Sequence, residues 1–452
     1  MKIEFKDKQV LVLGLGDTGL SALRWLHRRG AVLSVADTRD APPGLAILQA
    51  EMPRVKIHLG PFTEQAFAGA QVIVISPGLP IATPLVQAAI QRGIPVIGDV
   101  ELFAQYKPAS SKVIAITGAN GKSTVTMLVG EMCRQAGLKT VVAGNIGLPV
   151  LDALEADAAD VYVLELSSFQ LETTLSLAAD AATVLNVTED HMDRYAGMAE
   201  YAAAKARVFQ GNGVQVLNRD DEWSRGMALS GRRVVSFGTA APSTPDDFGL
   251  IARSGRLWLA QGATELLEVA EMRIAGRHNA ANALAALALC RAIGLDYAPL
   301  LQALREFKGL PHRVEWVAEV GGVNYYDDSK GTNVGATCAA LAGMPCKVVL
   351  IAGGDGKGQD FAPLRAPVLR NARAVVLIGR DAPLIESVLA GGEVPLLRAA
   401  DMQQAVYQAA AAAQPGDAVL LSPACASWDM YRNYVQRAEA FIAAVKKLGA
   451  GA

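Results

Sequence analysis

Short apolar runs recur along the chain, each closed by a cluster of glycine, polar or charged residues and followed by a stretch with helical spacing. The run Gln9–Leu13 enters Gly14-Leu15-Gly16-Asp17-Thr18-Gly19, after which residues 20–28 carry the helical period. A second run, 31–36, ends in Asp37-Thr38-Arg39. Two more, Val72-Ile73-Val74-Ile75 and Pro95-Val96-Ile97, flank the loop Ser76-Pro77-Gly78-Leu79-Pro80. Strand, glycine turn, helix, strand is the rhythm of a parallel sheet covered by helices, and it predicts a Rossmann-like first domain.

The rhythm restarts at Val113-Ile114-Ala115-Ile116, continues through strands at Val161-Tyr162-Val163-Leu164 and Ala182-Thr183-Val184-Leu185, and returns over 323–326, 348–352, 374–378 and 418–421. Two polar, turn-rich joints interrupt it, Tyr106-Lys107-Pro108-Ala109-Ser110-Ser111 and Gly309-Leu310-Pro311-His312-Arg313. The expected fold class is therefore α/β in three domains, over 1–107, 108–310 and 311–452, the last again Rossmann-like. A length of 452 residues, too long for one core, agrees with that division.

Charge narrows the chemistry. Lys and Arg number 42 against 44 Asp and Glu, a net of -2, so no basic footprint calls for nucleic acid and small-molecule substrates are expected. The five cysteines are scattered without a C-x-x-C pair, as in a reduced, cytoplasmic protein. No signal peptide is expected at the N-terminus, and the Ala/Leu stretch 280–289 is too short to insert in a membrane.

The stretch richest in chemistry is Thr117-Gly118-Ala119-Asn120-Gly121-Lys122-Ser123-Thr124. A strand entering a glycine loop and then a helix aims backbone N–H groups and the positive helix end at one point, which suits a phosphate. Lys122 adds a cation for the outer phosphates, and Ser123 or Thr124 offers a hydroxyl to Mg²⁺. Ile116 stands where the usual P-loop has its first glycine, so this is a variant loop. Glu165, closing the strand before Leu166-Ser167-Ser168, is placed to hold Mg²⁺ directly or through water. In Thr188-Glu189-Asp190-His191, the two acids either serve a metal or form the first turn of a helix capped by Thr188. His191 reads as a metal ligand or an amine-orienting group. Asp37 lies where a dinucleotide fold reads a ribose, while Asp17 in the glycine turn would repel a pyrophosphate. Arg277-His278-Asn279-Ala280-Ala281-Asn282 either reads an adenine or opens a helix, and Asp327-Asp328, Gly353-Gly354-Asp355-Gly356-Lys357, Gly379-Arg380-Asp381 and Ser422-Pro423-Ala424-Cys425 gather at strand ends of one sheet.

The motifs T-G-A-N-G-K-S-T, E-L-S-S-F-Q, N-V-T-E-D-H-M-D-R, R-H-N-A-A-N, L-P-H-R-V-E, D-D-S-K-G-T-N, G-G-D-G-K and S-P-A-C-A-S-W-D together resemble the Mur ligases, in order and over nearly the whole chain. The G-L-G-D-T-G turn, the S-P-G-L-P loop and the last motif resemble the D-glutamate-adding branch of that family. The resemblance implies a UDP-substrate domain, a central P-loop ATPase domain and a C-terminal amino-acid domain, in a cytoplasmic monomer that makes an amide bond through an acyl phosphate in peptidoglycan synthesis. It implies that Gly14, Leu15, Asp37, Thr38, Arg39, Gly78, Asn145 and Ser167 surround the UDP-linked substrate. Gly118, Asn120, Gly121, Lys122, Ser123, Thr124, Asn279, Asn282, Arg313 and Asp328 would bind ATP, and Thr332, Lys357, Ser427 and Tyr434 would hold D-glutamate. Ser123 and Glu165 would hold one Mg²⁺, and His191 with a carbamylated Lys205 a second. By its own surroundings Lys205 reads as a solvated helix lysine. Asp17, and Tyr434 where the family often has Phe, depart from the pattern. A folylpolyglutamate synthase shares the ATP loop without this first domain; a nicotinamide-dependent oxidoreductase would leave Lys122 and Glu165 idle, and a non-catalytic nucleotide-binding scaffold would not turn over ATP.

Overall fold

The apolar runs fold as strands buried on both faces, the condition that lets a parallel sheet read as uninterrupted Val and Ile. A computed structural model describes residues 2–450 other than 157 and 275, and among these residues there are three sheets. The first contains β1 (Gln9–Leu13), β2 (Val32–Asp37), β3 (Lys56–Leu59), β4 (Val72–Ile75) and β5 (Val96–Ile97), all parallel, in the order β3-β2-β1-β4-β5. The order reverses between β1 and β4, which puts Gly14 and Ser76 side by side at the switch point where ligands of open sheets bind. Close packing here requires glycine at 19, because a Cβ on it would lie 1.9 Å from the Gly14 carbonyl oxygen.

The second sheet is built on β6 (Lys112–Thr117), β7 (Thr140–Gly144), β8 (Val161–Glu165), β9 (Ala181–Val184), β10 (Val214–Asn218) and β11 (Val234–Phe237), extended by β12 (Phe248–Arg253), β13 (Arg256–Gln261) and β14 (Thr264–Glu268). Its order is β14-β13-β12-β11-β10-β9-β6-β8-β7. β6 lies between β8 and β9, parallel to both, so Ile116 stands beside Glu165 and Thr117 beside Val184. The antiparallel β12 to β14 meander is not foreseen by the βαβ rhythm. Its first turn has Ser254 and Gly255 both at positive φ, 50° and 75°, the backbone that a tight hairpin needs.

The third sheet has β15 (Glu315–Val320), β16 (Val323–Asp327), β17 (Val348–Gly353), β18 (Ala372–Ile378), β19 (Leu396–Arg398) and β20 (Ala418–Leu421), ordered β15-β16-β20-β17-β18-β19. Only β15 runs antiparallel to its neighbour. Apolar residues line both faces, Leu350, Leu377 and Leu420 on one and Val349, Val376 and Val419 on the other. By packing, the chain divides into two compact units, one of residues 1–187, 199–269 and 282–305, the other of 188–198, 270–281 and 306–452. The helix that Thr188 would cap does not form: the chain is irregular through Asp190 and turns at 192–197, and His191 holds a positive φ of 60°. The Ala/Leu stretch lies within the helix Arg277–Ala292, and among the described residues no helix is long and apolar enough to cross a membrane. All five cysteines are free thiols.

In the second unit a buried arginine ties two strand ends together. Arg437, on the helix Tyr434–Ala450, donates to the Ser329 hydroxyl at 3.1 Å, the Ser329 carbonyl at 2.8 Å and the Cys425 carbonyl at 3.0 Å. Burial lowers its pKa to about 10, still charged at neutral pH. Arg437→Met, similar in length but without donors, strands those acceptors in a dry place and is expected to cost about 2–4 kcal/mol in urea unfolding. An unchanged midpoint would contradict the role given to this side chain.

Candidate functional site

The phosphate loop is shaped before any ligand arrives. Asn186, just past β9, accepts from the Asn120 N–H at 2.8 Å and donates back to the Asn120 carbonyl at 3.0 Å, while its own carbonyl takes the Ala119 N–H at 2.9 Å. Gly121 caps the helix Lys122–Gln135 at φ 85°, and a Cβ there would meet the Asn282 side-chain oxygen at 2.7 Å. Asn282 is thus packed against the loop. Lys122 folds back over it, donating to the carbonyls of Gly118 at 2.8 Å and Ala119 at 3.0 Å, and Ser123 and Thr124 are buried in the first helical turn.

Glu165 ends β8, the neighbour of β6, and is almost wholly buried. One of its oxygens accepts from the Asn145 amide at 2.7 Å; the other, Oε2, has no hydrogen-bond partner. A buried carboxylate oxygen without a donor fits a hard cation, which takes oxygen ligands. Asn145, expected by resemblance at the UDP-linked substrate, also donates its backbone N–H to the Glu165 carbonyl at 2.8 Å, so in this structure its partner is the Glu165 edge. Ser167 is occupied as the cap of the helix Ser168–Glu172, in a reciprocal capping box with Gln170.

Lys205 is not the solvated lysine its neighbours in sequence imply. It is 1% exposed, its ammonium donates to the Gly118 carbonyl at 3.0 Å, and it lies 4.3 Å from the centre of the Tyr201 ring. The helix Met198–Ala206 presents it inward, beside the phosphate loop. Sequence spacing could not reveal this, because the helix is rich in alanine and marks no clear apolar face.

At the first sheet, Asp37 closes β2 with both oxygens engaged. Oδ2 accepts the Leu15 N–H at 2.7 Å and an Arg39 guanidinium N–H at 2.7 Å; Oδ1 accepts the Arg39 backbone N–H and Nε, each at 2.9 Å. Burial pushes its pKa up, but these donors outweigh it and hold the pKa at about 2. The carboxylate fixes the glycine turn through Leu15 and sets Arg39. Thr38, Arg39 and Gly78 are exposed, as is Asp17 at the start of the helix Asp17–His27. A cleft of about 880 Å³ opens at the opposite edge, lined among others by Val32, Met52, Arg54 and Lys56. None of the expected site residues lines it, and the strand-end polar groups locate the chemistry better than its volume does.

The second unit holds His191, Asn279, Arg313, Asp328, Thr332, Lys357, Ser427 and Tyr434. Asp328, following β16, is fully buried and accepts from the Ser422 hydroxyl at 2.6 Å; burial raises its pKa to about 7. Its neighbour Asp327 pairs with His312 Nδ1 at 2.6 Å, and His312 is next to Arg313. Asn333 caps the helix Val334–Gly343, just after Thr332. Lys357 pairs with Asp190. Ser427 accepts the Tyr431 N–H at 2.7 Å through its carbonyl, and Tyr434 lies under the Lys330 ammonium, 3.8 Å from the ring centre. Three groups that organise their surroundings carry no role in the sequence reading: Asn186 at the phosphate loop, and Gln359 and Arg437 in the second unit. Asn186 alone had a signal, as the first polar residue after the strand beside the phosphate loop.

Comparison with known proteins finds likeness over nearly the whole chain. Three family models match in order: the Mur ligase MurD-like N-terminal domain over residues 8–98, the Mur ligase middle domain over 116–290 and the Mur ligase glutamate ligase domain over 312–425. The chain belongs to the Mur ligase family, whose members are ATP-dependent. Relatives named UDP-N-acetylmuramoylalanine--D-glutamate ligase include one from Methylobacillus flagellatus, 66% identical over 99% of this chain and 98% of the relative, and one from Nitrosospira multiformis, 56% identical over 99% and 97%. Among solved structures, UDP-N-acetylmuramate-alanine ligase MurC of Thermotoga maritima aligns with a TM-score of 0.61 at 19% identity, covering 97% of this chain and 99% of that one. MurF of Acinetobacter baumannii aligns at 0.60 and 15% identity, over 96% and 93%. These structures share the fold.

The Asp37 cluster makes a thermodynamic statement. Because the folded-state pKa is below the ordinary value, its stabilisation is complete where Asp is ionised in folded and unfolded chains alike, and is lost as pH falls from about 4 towards 2. Asp37→Asn should cost on the order of 1–2 kcal/mol, a figure reduced for solvent screening of the half-exposed Arg39. Urea titrations should return the same penalty at about pH 5 and about pH 8. A penalty that changes across that interval would assign the effect to another group.

Proposed function

We propose that this protein joins D-glutamate to UDP-N-acetylmuramoyl-L-alanine at the expense of ATP, in peptidoglycan synthesis. The observation that carries the proposal is likeness to D-glutamate ligases at 66% identity across 99% of the chain. The preformed phosphate loop supports the same reading. We take 1–107 as the domain for the UDP-linked substrate, 108–310 as the ATP domain and 311–452 as the amino-acid domain, and the protein as a cytoplasmic monomer.

In the first step the terminal carboxylate of the UDP-linked substrate attacks the γ-phosphorus of ATP, giving an acyl phosphate and ADP. In the second the amine of D-glutamate attacks the activated carbonyl; the amide C–N bond forms, inorganic phosphate leaves, and the amine gives up a proton. Phosphoryl transfer of this kind depends on positioning and charge neutralisation rather than on a protein nucleophile. Gly118, Asn120, Gly121 and Thr124 would cradle the phosphates, with Lys122 turning from the loop carbonyls to the γ-phosphate. Asn279, Asn282, Arg313 and Asp328 would hold the rest of the nucleotide. Gly14, Leu15, Asp37, Thr38, Arg39, Gly78, Asn145 and Ser167 would serve the UDP-linked substrate, Asp37 through the turn and the arginine that it orders. Thr332, Lys357, Ser427 and Tyr434 would receive D-glutamate, and His191 would orient its amine.

Ser123 and Glu165 would hold Mg²⁺, the free Glu165 Oε2 supporting that assignment. When bound, the ion supplies neutralisation of phosphate charge. Lys205, with His191, would serve a second ion; as an ammonium Lys205 can only donate, so a carbamate on its nitrogen would be needed to make it an oxygen ligand.

ADP release should require UDP-N-acetylmuramoyl-L-alanine and rise only with D-glutamate among a panel of amino acids; full turnover with L-lysine or L-alanine would overturn the assignment. Lys205→Arg retains the charge but not the amine that carbamylates, and is expected to lose activity by at least about tenfold. Wild-type turnover in that variant would remove Lys205 from the metal site.

A further inference from the structure

Lys357, proposed above to receive a carboxylate of D-glutamate, already holds one. Its ammonium is ion-paired to Oδ1 of Asp190, and the two side chains are only 8% and 10% exposed. The other Asp190 oxygen lies 3.4 Å from the Asn333 amide nitrogen, and Glu189 accepts the Asp360 N–H at 3.0 Å. Consecutive acids, 189 and 190, therefore dock the loop 188–198 onto the loop that follows β17, within one compact unit.

The backbone is bent on both sides of this pair. His191, next to Asp190, has φ 60°, and Lys357 has φ 52°, a region that side chains other than glycine seldom adopt. The lysine loop is held there by two further carboxylates: Asp355 accepts the Lys357 N–H at 3.0 Å and Asp381 the Gly356 N–H at 2.7 Å. Besides these backbone groups, Asp355 and Asp381 face the Arg380 guanidinium, at 2.6 Å and 3.5 Å, whereas Asp190 is the carboxylate that meets the Lys357 ammonium. An ammonium removed from water needs an anion beside it, and a side-chain carboxylate offers the same group that an acidic amino acid brings.

We propose that Asp190 is a stand-in for the substrate carboxylate. Resting on the assignment of Lys357 to D-glutamate, the inference is that the incoming carboxylate exchanges with Asp190 on the ammonium, with no covalent change, and in doing so frees the loop that carries His191. The exchange also selects substrate: an amino acid lacking a second carboxylate has nothing to trade for Asp190 and leaves Lys357 occupied. Asp190 is thus a specificity and positioning residue, competing with the substrate instead of binding it.

Steady-state kinetics of the full-length enzyme, with ATP and the UDP-linked substrate saturating, test this. Asp190→Asn keeps the shape and removes the competing charge, so KM for D-glutamate should fall about threefold or more, while Asp190→Glu restores a carboxylate and should hold KM at or above the wild-type value. Asp190→Ser is the second neutral variant should Asn not fold. Lys357→Ala should raise KM. A purely structural Asp190 would lower kcat or stability without lowering KM. If Lys357→Ala raises KM and the neutral Asp190 variants leave it unchanged or higher, the stand-in is overturned and the glutamate reading of Lys357 stands. If Lys357→Ala leaves KM unchanged, the reading of Lys357 itself fails, and the stand-in with it.

Discussion

The parallel pairing of β6 with β8 on one side and β9 on the other is the constraint from which the phosphate loop and its surroundings follow. It brings three chain segments to one edge: the glycine loop, Glu165 and Asn186. None of these is adjacent to another in sequence. Asn186 sets the loop by exchanging hydrogen bonds with Asn120, and Gly121 leaves room for Asn282. Slipping β9 by one residue would turn its side chains to the opposite face and move Asn186 away from the loop.

Several buried charges are met wholly or in part by backbone groups. Asp37 is satisfied by N–H donors and a guanidinium, Arg437 by carbonyls, and Lys205 by the carbonyl of Gly118. At two carboxylates the match is incomplete. Glu165 keeps an oxygen without a donor, and burial raises the pKa of Asp328 to about 7 although the Ser422 hydroxyl and the Val314 N–H donate to it.

Much of this was legible in the sequence, for physical reasons that differ by element. Strands buried on both faces announce themselves as unbroken apolar runs, and all those expected at the centres of the three sheets are present. Edge strands do not: β3 alternates Lys, Ile, His and Leu, and β19 has only three residues. The hairpin extension beyond β11 is not foreseen by the βαβ rhythm because its apolar runs, Leu250-Ile251-Ala252 and Leu257-Trp258-Leu259-Ala260, are joined by a tight turn with no helix between them. For the site, glycine and lysine of the phosphate loop declare their role by local chemistry, whereas Lys205 depends on where a helix packs. The helix capped by Thr188, one of the two alternatives for this stretch, does not form; Glu189 and Asp190 instead meet Asp360 and Lys357, more than 160 residues away in sequence.

Gln359 carries one more consequence. Its side-chain oxygen accepts the Val334 N–H at 2.8 Å, and its nitrogen donates to the Gly356 carbonyl at 3.0 Å and the Ala424 carbonyl at 2.7 Å. A single buried amide thereby joins the segments after β16, β17 and β20. Three loops that would otherwise fluctuate independently share one degree of freedom, so ordering any of them by a ligand reduces the entropy left to lose at the other two. Cooperation between distant parts of a small-molecule pocket can arise in this way with no change of average shape.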